Sequence, residues 1–369
     1  SLGTRYVGDM DRLFDTYGEL LPLLVDDIRE RIPKDPSDSD FVYRQAIRAK
    51  AFDSIRGLLP ASSLSNVGVY GTGQGYEMLL LRMRSHPLPE ARTYADLMLT
   101  ELRKVVPSFL KRVDLDDRGV KWSNYMSSSR HAMDDIAGRL FAGVEDIEPA
   151  PVVTLVDFDP DAEIKLVAAA LYPHLSLPER QIEDRVRQMS TEERVAVLDA
   201  YEGERDNRRH KPGRALERPS YRFDILADYG AFRDLQRHRM LTIDWQKLTP
   251  LHGYTRPAAV DDAGVGATFD EAMERSASLY EALEERFPAE SSYAVSLAYR
   301  VRFSMHMNAR EAMHLIELRT TPQGHPAYRI VGQEMHRLIA EQAGHHAIAA
   351  MMRFVDHSAE PELERLQAE

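Results

Sequence analysis

Two stretches of the chain share residue types at identical spacing, and this repeat limits the architectures that the chain can adopt. In each stretch a Leu-Arg pair is followed by an arginine, a methionine and a branched aliphatic residue. The matched positions are Leu81, Arg82, Arg92, Met98 and Leu102 in the first stretch and Leu318, Arg319, Arg329, Met335 and Ile339 in the second. Upstream, residues 56–60 take the place of residues 292–296 to within one position. A tandem duplication explains the match, and chance similarity between short apolar helices is the alternative.

Composition excludes several classes of protein. The 369 residues suffice for two or three domains, and no apolar run is long enough to cross a membrane. The absence of cysteine excludes disulfides, zinc-thiolate sites and thiol catalysis. A net charge of −12 argues against nucleic-acid binding. No signal peptide opens the chain, so we expect a cytoplasmic protein without a membrane partner. The start at Ser1 rather than methionine is consistent with processing, tagging or truncation.

One short basic motif indicates a ligand. Arg237-His238-Arg239 places two guanidinium groups and an imidazole on adjacent residues. Guanidinium groups bind phosphate and carboxylate oxygens through two parallel hydrogen bonds, so the motif favours a small anionic ligand with several phosphates. A solvated basic turn is the alternative.

Hydrophobic periodicity predicts an α+β protein, with sheet strands flanked by long helices. Residues 152–156 and 221–226 have the pattern of strands. Residues 65–70 are predicted to form a short strand or an extended piece, and residues 227–239 a helix or a strand. Residues 115–150 are charged, Ser-rich and then acidic, which is typical of a linker. Helices are predicted over 8–33, 41–59, 76–84, 91–106, 160–171, 177–189, 191–202, 268–286, 308–319 and 326–342.

The order of these motifs resembles the flavin-dependent thymidylate synthase family. That family carries RHR-x-x-S-x-N-x-x-S-x-R-Y, then an LP segment, an N-x-R block and a Leu-Arg pair before a helix. Here Arg237-His238-Arg239, Asn308-Ala309-Arg310 and Leu318-Arg319 follow in that order, and residues 152–160 resemble the opening strand and helix. The resemblance spans residues 152–358 and, more thinly, 1–110.

The resemblance implies roles for ten residues. Arg319 would hold and polarise the uracil ring, because a cation beside the pyrimidine carbonyl stabilises the charge that develops during methylation. This chemistry requires no cysteine nucleophile. The FAD contacts would be Arg237, His238, Arg239, Asn308, Arg310 and His314. The nucleotide would be held by Arg5, Arg56 and Arg82, with Arg84 as the alternative to Arg82.

The signature also departs from the family. The polar positions after the basic triplet are Thr242, Asp244, Lys247 and Thr249, and the usual upstream glutamine is Asp234. Asp234 and Asp244 would oppose a phosphate. Thr4-Arg5-Tyr6 resembles the end of a second signature whose basic triplet would lie ahead of Ser1. One class of site would join the loop around Arg5 to Arg319, and a degenerate class would use the Lys247–Thr249 loop.

Two other readings remain. Glu311 and His314 form an E-x-x-H pattern, with Glu341 and His345 further along the chain, as in helical di-metal sites. We expect no metal, because only one such pattern is present. The second reading is a non-catalytic paralogue that binds flavin or nucleotide in a structural or regulatory role.

The resemblance implies a tandemly duplicated fold in which residues 1–115 form a partial repeat and residues 116–150 a linker. Residues 151–358 would form a complete repeat and 359–369 a tail. It further implies methyl transfer to deoxyuridine monophosphate, with FAD as cofactor and NADPH and methylenetetrahydrofolate as co-substrates. The expected partners are the nucleotide and folate, and a homodimer would form a pseudo-tetramer.

Overall fold

The computed structural model describes residues 1–144 and 147–358, which divide into two compact units. Unit 1 contains residues 1–62, 150–282 and the chain from Ser292 onward. Unit 2 contains residues 63–149 and 283–291. Among the described residues, no helix is both long enough and apolar enough to span a bilayer.

The described chain is mostly helical, as the periodicity predicts. Several helices begin with the expected capping chemistry: Ser190 and Glu193 form a reciprocal capping box at α9, and α4 and α14 carry a proline in their first turn. The helices are α1 (Leu2–Arg31), α2 (Asp40–Ile55), α3 (Gly73–Arg84), α4 (Pro89–Leu102), α5 (Pro107–Leu110), α6 (Gly119–Leu140), α7 (Ala162–Leu171), α8 (Glu179–Val186), α9 (Thr191–Glu202), α10 (Tyr229–Leu235), α11 (Ala258–Asp262), α12 (Gly266–Glu284), α13 (Ala309–Arg319), α14 (Pro326–Glu341) and α15 (His346–Ala350).

Unit 1 is built on a four-stranded antiparallel sheet of order β1-β2-β4-β3. Its strands are β1 (Val153–Phe158), β2 (Ser220–Asp228), β3 (Leu241–Trp245) and β4 (Arg300–Asn308). Side chains alternate across β4, so that Val301, Phe303, Met305 and Met307 are buried in the core. Helix α14 packs against β1 and β2, and α13 packs against β2 and β4. The sheet therefore fixes the first residues of α10 and α13, where the candidate site lies.

Unit 2 is a set of helices with its own small core. Buried residues of α3, α4 and α5 pack together with Val113, and Met126 of α6 lies against this cluster. The cluster consists of Leu80, Leu81, Ala95, Leu99, Leu110 and Val113.

A close backbone contact joins the start of the chain to the sheet region within unit 1. Pro60 and Ser296 form an isolated antiparallel bridge, and the amides of Leu297 and Ala298 donate to the carbonyls of Leu59 and Gly57. A Cβ atom added at Gly57 would lie 2.9 Å from the Cβ of Ala298. Only glycine therefore permits this approach of the two backbones.

The structure confirms most predicted elements. Strands are present at 152–156 and 221–226, α9 has the predicted limits, and the remaining helices differ from their predicted ends by a few residues. Residues 65–70, predicted as a short strand or an extended piece, form no strand. Residues 116–150, predicted as a linker, contain the 22-residue helix α6. The tail at 359–369 lies outside the described residues, and the tandem duplication stays a prediction.

We expect Gly57→Ala to lower the free energy of unfolding by about 1–3 kcal/mol, because the added methyl group would force the two backbones apart. Gly18→Ala is the matched control, since position 18 lies in α1 with open space around it. The control should be neutral or stabilising by up to about 1 kcal/mol, because alanine favours helix. Urea unfolding measures both, and equal stability of the two variants would contradict the contact.

Candidate active site

His238 of the basic triplet lies in the turn between α10 and β3 and is buried. Its Nδ1 lies 2.9 Å from Oε1 of Glu311 in the first turn of α13, and its Nε2 lies 3.1 Å from Nε of Arg319. The guanidinium nitrogen is always a donor, so Nε2 must accept and Nδ1 must carry the proton that bonds Glu311. The imidazole is thus held neutral in one tautomer between an acid and a base.

Arg319, at the end of α13, is held on three sides. Beside its bond to His238, Nη2 donates to the backbone carbonyl of Asp234 at 2.5 Å, and the guanidinium carbon lies 5.4 Å from the centre of the Tyr328 ring. Nη1 lies 4.0 Å from Oδ1 of Asp234, which is beyond hydrogen-bonding distance. This nitrogen is positioned to bond an anionic or carbonyl oxygen of a ligand.

Three arginines converge on the carboxylate of Asp234. Nη1 of Arg237 lies 3.1 Å from Oδ1, Nη1 of Arg319 lies 4.0 Å from the same oxygen, and Nη2 of Arg56 lies 3.6 Å from Oδ2. The carboxylate therefore neutralises one of three positive charges. Oδ1 of Asp53 lies 4.0 Å from Nη1 of Arg56, so a second carboxylate also faces the cluster, and the expectation that Asp234 opposes an anion stays a prediction.

A cavity of about 320 Å³ lies on the other side of Arg56. Arg56 lies close to the backbone of Gly230. A Cβ atom added at Gly230 would lie 3.7 Å from Nη2 of Arg56 and 3.0 Å from Oδ1 of Asp228. Nη2 is buried without a hydrogen-bond partner among the described residues. An unpaired buried donor is costly, which favours a ligand acceptor at this position. Further walls come from Lys50, Arg256, Leu297 and the loop 322–327.

Two buried titratable groups complete the cavity wall. Asp228 ends β2 and caps α10, with Oδ1 accepting from the amide of Ala231 at 2.9 Å, and burial raises the pKa of its carboxyl group. His325 precedes α14 and its Nε2 lies 3.2 Å from the carbonyl of Asp53. Burial, reinforced by the charge of Arg56, lowers the pKa of His325. Burial therefore disfavours the charged form of each group.

The structure brings together some of the sequence-predicted residues. His238, Arg237, Arg319 and Arg56 meet around Asp234, and the ring of His314 lies 5.4 Å from that of His238. Burial lowers the pKa of His314.

Other predicted residues lie elsewhere or have other contacts. Asn308 caps α13 by accepting from the amide of Glu311, and Arg310 bonds the carbonyl of Pro212 and Glu217. Arg239 is exposed. Arg5 lies on helix α1 rather than on a loop and bonds Asp9 and Ser278. Arg82 lies on α3 of unit 2. The roles of these residues stay predictions.

The E-x-x-H pattern has a structural explanation. His238, Glu311 and His314 offer ligand atoms within 4.8 Å of one another. However, Arg319 uses Nε2 of His238 and Glu311 uses Nδ1, so a metal would have to displace both bonds and lie beside a guanidinium. Glu341 pairs with Arg337, and His345 bonds the hydroxyl of Tyr221.

Sequence reasoning missed Asp228 and His325 as wall residues. Asp228 carried a signal, since a polar residue that ends a half-buried strand and caps a short helix is placed at the edge of the sheet. His325 carried none, because a histidine before Pro326 is also a common helix start.

Comparison with known proteins identifies the family. Residues 154–344, more than half of the chain, match the family described as thymidylate synthase complementing protein. The chain therefore belongs to this family, which confirms the resemblance seen in the sequence.

Longer relatives match almost the whole chain. The UPF0159 protein of Chlamydia muridarum is 38% identical over 367 residues, which is 99% of this chain and 68% of the relative. That of Chlamydia pneumoniae is 36% identical over 96% of this chain and 66% of its own length. That of Thermoplasma acidophilum is 31% identical over 99% of this chain and 75% of its own length.

Two solved structures are also similar. The UMP/dUMP methylase PolB from Streptomyces cacaoi, bound with 5-Br dUMP, aligns with a TM-score of 0.42 and 19% identity over 55% of this chain and 97% of its own. The flavin dependent thymidylate synthase ThyX from Helicobacter pylori, complexed with FAD and dUMP, aligns with a TM-score of 0.40 and 14% identity over 56% of this chain and all of its own.

We expect Asp234→Asn to tighten the binding of inorganic phosphate by about tenfold, or about 1.4 kcal/mol, because it frees three guanidinium groups from their internal carboxylate. Isothermal titration at low salt measures this affinity. Asp262→Asn is the control, since Asp262 pairs with Arg31 elsewhere in unit 1. Unchanged or weaker phosphate binding in the Asp234 variant would show that the arginines do not form an anion site.

We expect Asp228→Asn to remove a pH dependence of stability. The folded pKa of Asp228 is raised above its ordinary value of 3.8, so the folded state binds more protons than the unfolded state between the two values. Stability from this group is present below 3.8 and is lost as the pH rises through the raised value. Thermal unfolding over a pH series should show the wild type losing stability relative to the variant, and parallel curves would contradict burial of the proton.

Proposed function

We propose that the protein is an FAD-dependent methyltransferase that acts on deoxyuridine monophosphate, with methylenetetrahydrofolate and NADPH as co-substrates. The observation that carries the proposal is the convergence of Arg56, Arg237 and Arg319 beside the neutral His238. Family membership supports the same reaction class. Deoxyuridylate offers a phosphate that Arg56 and Arg237 can bind and a pyrimidine carbonyl that Arg319 can bind.

The residues of the cavity fit a flavin. Asp228 and His325, whose charged forms are disfavoured by burial, line the cavity and can bond the edge of a ring system. A cavity of about 320 Å³ is at the lower end of the size of small-molecule sites, so it would enclose one ring system and leave the rest of a dinucleotide outside. The exposed Arg239 would contact that outer part.

Arg319 would act on the substrate. Its Nη1 would donate to a pyrimidine carbonyl and stabilise the negative charge that develops as the ring carbon becomes nucleophilic. His238 fixes the plane of this guanidinium, and Glu311 fixes the tautomer of His238. Bound flavin would supply the hydride chemistry, while these side chains bind and orient.

A non-catalytic binding role is the second candidate, and a specific observation favours it. Residues 247–249, at the end of the signature, include no arginine: Thr249 is buried and caps a turn by accepting from the amide of Leu251. Lys247 lies with Nζ 5.6 Å from the centre of the Tyr280 ring. A degenerate paralogue would keep the arginine cluster for binding and lack the complete set for turnover.

One experiment separates the two functions. The absorbance spectrum of the purified protein, followed by denaturation, identifies any bound flavin, and release of the C5 hydrogen of labelled deoxyuridylate measures methylation. Flavin with hydrogen release supports the enzyme, whereas flavin without release supports the binding role. A protein that takes up neither FAD nor deoxyuridylate would refute both.

We expect Arg319→Ala to lower kcat/KM for deoxyuridylate by about 10²–10³-fold, because it removes a donor to the developing charge and leaves Nε2 of His238 unpaired. Arg319→Lys should recover part of the loss. Arg337→Ala is the control, since Arg337 forms exposed pairs with Glu334 and Glu341.

Arg239→Ala should lose flavin, and full flavin occupancy in that variant would contradict its predicted contact.

A further inference from the structure

Arg329 of α14 is the second arginine of the repeated pattern, and it is buried although it carries a charge. Its Nε donates at 3.1 Å to the backbone carbonyl of Thr320, the residue that follows Arg319 and caps the end of α13. The last carbonyls of a helix have no partner within the helix, and they attract a cation. Arg329 therefore stabilises the end of α13 directly beside Arg319.

The matched arginine of the first stretch makes the same kind of bond. Arg92 lies on α4, and its Nη1 donates to the carbonyl of His86 at 2.6 Å and to that of Pro87 at 2.7 Å. These carbonyls belong to the turn that follows α3, the helix that carries the first Leu-Arg pair. In both stretches, an arginine on the next helix therefore holds the turn after the Leu-Arg helix.

In the second stretch, residues 351–358, here called the strap, hold Arg329 in turn. Nη2 of Arg329 donates to Oδ1 of Asp356 at 3.0 Å and to Oγ of Ser358 at 3.1 Å. The backbone amide of Asp356 donates to Oγ1 of Thr320 at 3.2 Å. Arg329, Asp356 and Thr320 are thus joined pairwise in a closed ring of three contacts at the end of α13.

The strap also contacts α13 on the other side of Arg319. Glu317 is buried and accepts two hydrogen bonds from Arg205, at 2.9 Å and 2.6 Å, and a longer one of 3.4 Å from the backbone amide of Phe354 in the strap. A buried carboxylate that is paired in this way is costly to displace. Arg319 therefore lies between two points of α13, Glu317 and Thr320, that the strap contacts.

Helix α14 lies close enough to α13 to restrain Arg319. A Cβ atom added at Gly332 would lie 3.0 Å from Cγ2 of Thr320 and 3.8 Å from Cβ of Arg319. Tyr328, which precedes Arg329 in α14, carries the ring that lies 5.4 Å from the guanidinium carbon of Arg319. A displacement of Arg329 would therefore disturb both the backbone beside Arg319 and the ring against which its side chain packs.

We propose that Arg329 and Asp356 are positioning residues, which hold Arg319 in place through the end of α13. The expected effect on turnover rests on the proposed function, whereas the restraint on Arg319 is a property of the protein without ligands. Catalytic groups must be held to within about half an ångström of their productive position. Loosening the end of α13 should therefore slow the reaction although Arg319 itself is retained.

Solvent exchange of the Nε proton of Arg319 tests the restraint without flavin or nucleotide. This proton bonds Nε2 of His238, and its NMR signal is identified by its loss in Arg319→Lys. In Asp356→Ala it should exchange at least about tenfold faster than in the wild type, because the strap no longer holds Arg329. Glu334→Gln is the matched control, since Glu334 pairs with Arg337 on α14 and its side chain is 30% exposed, against 28% for Asp356. Wild-type exchange in Asp356→Ala would overturn the proposal.

Turnover provides the second readout. Asp356→Ala should lower kcat for hydrogen release from deoxyuridylate by about fivefold, with flavin occupancy unchanged. Asp356→Asn should recover most of the loss, because its amide oxygen can still accept from Arg329. A lower melting temperature with wild-type exchange and wild-type kcat would show that the contact is only structural and would refute the positioning role. A wild type that releases no hydrogen would refute the proposed enzyme, and the exchange experiment would still decide whether Arg319 is restrained.

A second pair of variants applies if Asp356→Ala does not fold. Thr320→Val removes the hydroxyl group that accepts from the backbone amide of Asp356, whereas Thr320→Ser keeps this acceptor. The Nε proton of Arg319 should therefore exchange faster in Thr320→Val than in Thr320→Ser. Equal exchange in the two variants would contradict the positioning role.

Discussion

The site depends on one hydrogen-bonded chain, in which Glu311 holds His238 and His238 holds Arg319. Glu311 and His238 are buried and Arg319 is nearly so; Glu311 lies in the first turn of α13, Arg319 ends the same helix, and His238 follows α10. The imidazole forms a hydrogen bond with the carboxylate and another with the guanidinium group, and as a neutral ring it adds no charge. Helix α13 is thereby fixed to the basic triplet at its two ends, and the position of Arg319 does not rely on a ligand.

The residues that depart from the family signature have structural contacts of their own. Asp234 in place of glutamine puts a carboxylate among three arginines, where it holds them close together and reduces their repulsion. Nζ of Lys247 lies over the Tyr280 ring, and Thr249 caps a turn. The chain thus retains the positive cluster of Arg56, Arg237 and Arg319 while its signature loop has taken a structural role.

The sequence predicted the helices well because their apolar residues recur with helical spacing over long segments. Strands β3 and β4 were not predicted from the sequence, although polar and apolar side chains alternate along residues 300–307. The sequence also predicted a short strand or an extended piece at 65–70, where the structure has no strand. Pairing decides the outcome there, and pairing requires a neighbour that local sequence cannot reveal.

The sequence predicted the site residues that belong to a motif. It did not predict the contacts between segments that are distant in the chain. His238 and Arg319 are motif residues, and the structure joins them directly. The contact of Arg56 with Asp234 joins residues far apart in the chain, and the roles of Asp228 and His325 arise from burial. Burial of a single polar side chain depends on the tertiary fold, which periodicity does not encode.

The bridge between Pro60 and Ser296 has a consequence for synthesis on the ribosome. The segment that pairs with residues 57–60 is translated more than two hundred residues after them. Closing so long a loop adds little to the equilibrium cost but delays the step. The nascent helices α1 and α2 must therefore wait, with their apolar faces uncovered, until most of the chain has emerged. During that interval the apolar residues of these helices that meet later segments are accessible to a chaperone.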